Sequence, residues 1–338
     1  MQNIQNYIKP GQRAHLIGAG GVSMAPLAEV LHGKGVLVSG SDLHDSPTVD
    51  HLRSLGIPMT IGHLPESVEG AGCVIRTAAV HDTNPEVAAA RNAGIPVFER
   101  AQAWGAIMSH YPNALCVAGT HGKTTATSMC THIFLKAQRD PSVMVGGYLP
   151  ILQAEHRVGQ GDTIIAESCE YCNSFLSFCP TVAVILNVDA DHLDFFKDLA
   201  DVQNSFRRFA ALVPETGAVV YNRDDENTCA ALEGVSRPML SFGLSEGDVH
   251  TKNLVYEGGM GRFELVFRGE TLGKIALRVP GEHNVKNALA AAGASLFLQA
   301  PFAAVREGLE SFTGAGRRFE RKGTFRGAEV FDDYAHHP

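Results

Sequence analysis

The segment Gly119-Thr120-His121-Gly122-Lys123-Thr124-Thr125 narrows the possible folds of this chain more than any other. It follows the apolar run 115–118 and precedes a helix-compatible stretch over 124–136. A glycine turn between a buried strand and a helix collects backbone N–H groups at the helix N-terminus, where the helix dipole favours an anion. The pattern departs from G-x-x-x-x-G-K-[ST], because Val117 stands where the first glycine would be. Lys123 is nevertheless placed to reach β- and γ-phosphates, and the Thr124 hydroxyl to sit on Mg²⁺. The plainer alternative is a strand-to-helix turn that binds nothing. A strand and a helix on the correct sides weigh against it.

Around this loop the chain alternates strands with helices. Apolar runs at 14–17, 36–39, 73–77 and 95–98 are separated by polar or helical stretches, and the pattern restarts near 104–112, where a domain boundary is expected. Beyond it, strands are expected at 115–118, 163–166, 182–187 and 218–221, and helices at 124–136, 201–212, 285–298 and 303–312. A hairpin is expected over 263–267 and 275–279, and a last strand at 329–331. The 338 residues allow two or three domains at about 100–200 residues each. The expected class is α/β: an N-terminal Rossmann-like parallel-sheet domain followed by a P-loop α/β domain.

Four further motifs sit where such sheets place chemistry. Glu167-Ser168-Cys169-Glu170 lies directly past the strand at 163–166, the carboxyl end at which open α/β sheets bind ligands. One or two carboxylates plus a substrate phosphate suffice for Mg²⁺. Asn187-Val188-Asp189-Ala190-Asp191-His192-Leu193-Asp194 follows a second strand and gathers three acids and a histidine. By itself such a run is as well read as an exposed loop with a helix cap. Asn284 and Asn287 lie three apart at a helix start, so their amides share a face and could read a nucleobase edge. Capping by Asn284 is the plain alternative. Gly18-Ala19-Gly20-Gly21-Val22-Ser23-Met24 is a partial dinucleotide fingerprint, with Ser23 at the third glycine position and Asp42 at the end of the next strand, where a ribose hydroxyl would bind.

Other classes are disfavoured. With 28 basic against 36 acidic residues the formal charge is −8, and the densest basic run, Arg317-Arg318-Phe319-Glu320-Arg321-Lys322, is broken by an acid, so no nucleic-acid partner is expected. No charge-free apolar run reaches the length of a membrane helix and the N-terminus has no apolar h-region, so neither a membrane nor a secretory role is expected. Seven cysteines, an odd number without secretory features, suggest reduced cytoplasmic thiols. Cys169-x-x-Cys172 lacks a second ligand pair, and Cys179 does not supply tetrahedral zinc spacing.

Taken together, GTHGKTT (119–125), the pair Glu167 and Glu170, NVDADHLD (187–194), HNVKN (283–287), GRRFE (316–320) and DDYAHHP (332–338) resemble the Mur ligases of peptidoglycan synthesis. The first glycine loop is similar to that family's uridine-nucleotide domain. The resemblance implies residues 1–108 as a UDP-sugar-binding domain, 109–322 as a central ATP-binding domain and 323–338 as the start of a third, amino-acid-binding domain. It implies ATP-driven amide ligation through an acyl phosphate, with UDP-N-acetylmuramate and L-alanine as substrates and Mg²⁺ as cofactor. Gly119 to Thr125 would hold ATP, with Lys123 on its phosphates. Thr124 with Glu167 or Glu170 would bind one metal, and His192 a second. Asn284 and Asn287 would face adenine, Arg318 would approach the phosphates, and Asp332 or Asp333 would lie near the nucleotide. Gly18, Gly20, Gly21, Ser23, Met24 and Asp42 would serve the UDP-sugar.

The stretch after Glu167 reads S-C-E-Y-C-N where many relatives carry A-D-E-S-D, which leaves open which glutamate binds metal. A chain stopping where the third domain starts would be expected to bind nucleotides and ligate poorly. Three rivals stand beside this reading: a recycling ligase that adds a preformed tripeptide to the same sugar nucleotide, a nicotinamide oxidoreductase using the Gly18 loop, and a non-catalytic nucleotide-binding module.

Overall fold

The computed structural model describes residues 3–77, 79–318 and 320–333, with nothing stated of the Arg321 side chain. Two compact units meet at His110 and Tyr111 in the sequence. In the first, the elements are β1 (Arg13–Ile17), α1 (Ala25–Gly33), β2 (Leu37–Asp42), α2 (Pro47–Ser54), β3 (Met59–Ile61), β4 (Cys73–Arg76), α3 (Pro85–Asn92), β5 (Val97–Glu99) and α4 (Arg100–Met108). The strands pair in parallel in the order β3-β2-β1-β4-β5. Strand order reverses between β1 and β4, so the crevice beyond their carboxyl ends is the natural ligand site. The loop 18–24 opens there.

The second unit contains β6 (Asn113–Ala118), α5 (Lys123–Lys136), β7 (Ser142–Leu149), β8 (Ala154–Arg157), β9 (Thr163–Glu167), β10 (Val182–Ile185), α6 (Leu199–Ala210), β11 (Ala218–Asn222), α7 (Glu226–Leu232), β12 (Met239–Gly243), β13 (Val249–Glu257), β14 (Met260–Phe267), β15 (Glu270–Pro280), α8 (Glu282–Phe297) and α9 (Phe302–Ser311). A separate hairpin, β16 (Glu320–Phe325) and β17 (Ala328–Asp332), follows. The main sheet runs β15-β14-β13-β12-β11-β10-β6-β9-β7-β8. Its centre is parallel, and the β13–β15 meander at one edge is antiparallel. Both faces of the central strands are covered: Leu115, Val117, Ile165, Val182 and Val184 are buried on one face with helical residues such as Phe134 and Leu289, and Cys116, Ile164, Ala183 and Ile185 are buried on the other. That burial explains why these strands read as continuous apolar runs rather than as alternating ones.

Neighbouring parallel strands bring three carboxyl ends together. β6 lies between β9 and β10, so the loops after Ala118, Glu167 and Ile185 converge on one edge. Helix α5 packs closely on α9, where a Cβ on Gly308 would stand 2.6 Å from the Ile133 Cα. Only a glycine permits that approach. Several elements were not expected from sequence: α2, α3, α4 and α7, and strands β3, β7, β8, β12 and β13. Strands β7 and β13 carry a Gly-Gly pair and a charged, exposed half respectively, which hide their strand character.

At the α5–α9 contact, His132 Nδ1 lies 2.9 Å from Ser311 Oγ and the ring meets Phe312 edge-on at 5.4 Å. Burial, aided by the charge of Lys136, pushes the imidazole from 6.5 down to about 4. The folded state therefore holds His132 neutral where the unfolded chain would protonate it. Its contribution is intact above pH 6.5 and is lost as pH falls towards 4, at up to about 1.4 kcal/mol per pH unit. Chemical denaturation at pH 7 and pH 5 should show a smaller loss of stability in His132→Gln than in the unchanged protein. Equal losses would remove His132 as a source of the acid sensitivity.

Candidate active site

The helix that begins at Lys123 is built to receive an anion. Gly122, with φ of 83°, supplies a left-handed turn and caps the helix with no side chain, so the first-turn N–H groups of α5 keep their hydrogen-bonding capacity. A Cβ at Gly122 would also lie 2.6 Å from Asn287 Oδ1. The loop is braced from the neighbouring strand end. The His121 N–H donates to Asn187 Oδ1 at 2.7 Å, and Asn187 Nδ2 donates to the His121 carbonyl at 3.1 Å. The Asp189 N–H donates to Thr120 Oγ1 at 2.9 Å.

Charge is concentrated on the same edge. Glu170 is 1% exposed, and the Lys123 ammonium lies 3.2 and 3.1 Å from its two oxygens. Lys123 Nζ also donates to the carbonyls of Gly119 and Thr120, at 2.6 and 3.1 Å. Glu167 is held differently: it accepts the Thr124 hydroxyl at 3.0 Å and the Gly146 N–H at 2.6 Å. A Cβ at Gly146 would stand 2.9 Å from both of those carboxylate oxygens, so a side chain there would displace the Glu167 carboxylate from this contact.

The two glutamates thus face two different places. Glu167 belongs with Thr124. Glu170 belongs with Asp191 and His192, whose ligand atoms lie within 4.8 Å of one another and of Glu170. Two oxygens and an imidazole nitrogen suit a divalent cation such as Mg²⁺ or Mn²⁺, and the buried carboxylate supplies the charge that would hold it. His192 sits in the left-handed region at φ of 53°, with its N–H on Asp191 Oδ1 at 2.7 Å. The Tyr171 ring packs on His192 at 4.8 Å, and the Tyr171 hydroxyl donates to Asp194 Oδ2 at 3.0 Å. Asp191, Tyr171 and Asn187 were not singled out among the expected site residues. Asp191 and Asn187 lay inside a quoted motif, whereas Tyr171 was visible only as a departure from it.

A cavity of about 840 Å³ opens beside these groups; it is lined by 120–125, Glu167, Cys169, Asp191, His192, Asn284, Asn287, Arg318 and Asp333. Arg318 Nη2 lies 3.4 Å from Thr124 Oγ1. Asn284 and Asn287 do line the cavity, but their amides are partly engaged: Asn284 Nδ2 donates to the Pro280 carbonyl at 2.7 Å and Asn287 Nδ2 to Asn284 Oδ1 at 3.4 Å. Asp332 instead faces Lys322 at 3.9 Å. Residues 334–338 of the last motif and Phe319 lie outside the described residues. Burial, then the charge of Glu170, pushes the Cys169 thiol above its ordinary value, so it is protonated at neutral pH.

In the first unit, the Gly18 and Ala19 N–H groups donate to the Ser41 carbonyl at 2.8 and 2.9 Å, and the Gly20 N–H donates to Asp42 Oδ2 at 2.9 Å. Gly21 and Met24 continue the turn, the Met24 N–H donating to the Gly21 carbonyl at 2.9 Å, and Met24 caps α1 after Ser23. Asp42, expected at a ribose hydroxyl, also accepts the His44 N–H at 3.2 Å, so both its oxygens brace the protein's own backbone. No helix among the described residues is long and apolar enough to cross a membrane.

Residues 117–295 match the Mur ligase middle domain, and residues 13–112 match the Mur ligase family, catalytic domain. The chain is 43% identical over 334 residues to the UDP-N-acetylmuramate–L-alanine ligase of Clostridium novyi, covering 98% of this chain and 73% of that one. A ligase of the same name from Caldanaerobacter subterraneus is 43% identical over 329 residues, 97% of this chain and 72% of the relative. Among solved structures, the UDP-N-acetylmuramate-alanine ligase of Thermotoga maritima superposes with a TM-score of 0.81 at 29% identity, over 96% of this chain and 74% of that one. The UDP-N-acetylmuramate:L-alanyl-gamma-D-glutamyl-meso-diaminopimelate ligase of Neisseria meningitides gives 0.82 at 27%, over 90% and 99%. This chain belongs to the Mur ligase family.

Proposed function

We propose that the protein carries out ATP-dependent ligation of L-alanine to UDP-N-acetylmuramate in cytoplasmic peptidoglycan synthesis. The observation that carries this reading is Lys123, which lines a cavity walled by a phosphate-type loop and lies 3.1 Å from the buried Glu170 carboxylate. Phosphoryl transfer asks a protein for positioning and charge neutralisation rather than covalent help, and those are the groups present. The nucleotide-sugar carboxylate attacks the γ-phosphorus and ADP departs, leaving an acyl phosphate. The amine of L-alanine then attacks the acyl carbon, phosphate leaves with its bonding pair, and the amine loses a proton.

In this scheme Lys123 holds the β- and γ-phosphates, which requires its ammonium to exchange part of its contact with Glu170 for the nucleotide. Thr124 and Glu167 would hold one Mg²⁺, and Glu170, Asp191 and His192 a second. When bound, Mg²⁺ supplies positive charge against the phosphate oxygens. Arg318, beside Thr124, would approach the same phosphates, and Asn284 and Asn287 would face adenine. The loop 18–24 would receive the UDP-sugar.

A tripeptide-adding ligase remains the second reading, because the solved structures of the two ligase types resemble this chain equally well. The higher identity to the alanine-adding enzymes favours the first. ADP formation should depend on UDP-N-acetylmuramate and L-alanine together, assayed in this chain and in a protein extended to the length of its relatives. Turnover with the tripeptide alone would establish the second reading instead.

Lys123→Ala should weaken ATP binding by about 10- to 100-fold in calorimetry, the loss of one or two charged hydrogen bonds. Unchanged affinity would refute the role of the loop. Without nucleotide, Glu170→Gln should weaken Mn²⁺ binding more than Glu167→Gln does. The reverse order would exchange the two metal assignments.

A further inference from the structure

A fully buried carboxylate in the first unit has no part in the scheme above. Glu86, in the first turn of α3, is 0% exposed. Its Oε2 accepts the Ser41 hydroxyl at 2.7 Å and lies 2.8 Å from His63 Nδ1, while His15 Nε2 faces Oε1 at 3.4 Å. His15 Nδ1 in turn lies 2.9 Å from Ser39 Oγ. The carboxylate is thus surrounded by one hydroxyl and two imidazoles, drawn from β1, β2 and the turn after β3. Among the described residues no Lys or Arg pairs with Glu86; Arg76 and Arg91 are engaged with Asp82 and Glu99.

The helix start suits an anion, since Asn84 caps α3 by accepting the Glu86 N–H at 2.9 Å and the dipole there favours negative charge. Burial alone would push the carboxyl up, but the facing His15, Ser41 and His63 outweigh it and hold Glu86 below its ordinary value. The group is therefore ionised, with its charge shared between two histidines.

The position of this cluster gives it a role. Ser41 is the residue whose carbonyl takes both the Gly18 and Ala19 N–H groups, and its neighbour Asp42 takes that of Gly20. The dipeptide that shapes the glycine loop is thus anchored from beneath by Glu86, and His63 is the member of the cluster that reaches the surface, at 13% exposure against 0–1% for the others. We propose that Glu86 is a positioning residue for the nucleotide-sugar site: through Ser41 it fixes the loop 18–20, and through His63 it fixes the turn after β3 at the same crevice. This rests on the reading of the first unit as the UDP-sugar site.

The test is calorimetric binding of UDP-N-acetylmuramate to the intact chain, with ATP affinity and thermal melting measured alongside. Glu86→Gln keeps the shape and removes the charge. It should weaken UDP-sugar binding about tenfold while leaving ATP affinity unchanged. Ser41→Ala, which keeps the carbonyl, should cost less, and Glu86→Asp should restore part of the loss. If Glu86→Gln does not fold, the partly exposed His63→Gln and Ser41→Ala carry the same comparison. Glu86→Gln, or those substitutes, binding with unaltered affinity would overturn the proposal. An unchanged protein that binds ATP but no UDP-sugar would overturn the substrate reading, and the proposal with it.

Discussion

Burying Glu170 is the constraint on which the rest of the second unit depends. An ionised carboxylate cannot be left in a site with 1% exposure without compensation, and Lys123 provides it from the first residue of α5. Removing one partner of such a pair costs about 3–5 kcal/mol, because the other charge is then stranded. The pair therefore fixes the distance between the end of β9 and the start of α5. It also stores a charge imbalance: one lysine serves Glu170, while Glu167, Asp191 and His192 stand close by. A site arranged in this way has capacity for additional cations and for the phosphates they accompany.

Tight backbone contact keeps this edge in place. The side chain of Asn187 bonds both backbone groups of His121, and Thr120 ties to Asp189, so the loop after β6 and the loop after β10 form one rigid rim. The Glu167 carboxylate accepts the backbone N–H of Gly146, and a Cβ there would push against its oxygens. These contacts add direction to the charged ones, because each hydrogen bond fixes one backbone group of the rim to a particular side chain.

The two glycine loops show one plan used twice. Each follows a parallel strand at the sheet edge where ligands are received. In the second unit the loop carries its own cation in Lys123. In the first it carries none, and its shape is imposed by carbonyl and carboxylate acceptors at Ser41 and Asp42, with Glu86 beneath. The same local geometry therefore presents a lysine in one case and bare amides in the other.

Much of this was legible in the residues themselves. The central strands β6, β9 and β10 appear as apolar runs because both faces are buried, and helix α5, which begins at Lys123, announces itself by the glycine turn that precedes it. The candidate residues Glu167, Glu170 and His192 drew attention for the same reason, since each lies in the loop that follows such a run. The strand β7 was not legible, because its glycines answer to a carboxylate that is some twenty positions away in sequence (Glu167 to Gly146). At Asp42, spacing pointed to a ribose hydroxyl, and only the fold adds that its oxygens also accept the Gly20 and His44 N–H groups. Glu86 gave no signal: an acid near a helix start is ordinary, and only the fold surrounds it with His15, Ser41 and His63. The sequence by itself determined which segments become buried strands and which loops carry phosphate-compatible chemistry, because those are local properties of apolarity and turn geometry. Tertiary structure alone decided which carboxylate faces which cation, because that depends on strand order, and on the charge that burial does not allow to stand alone.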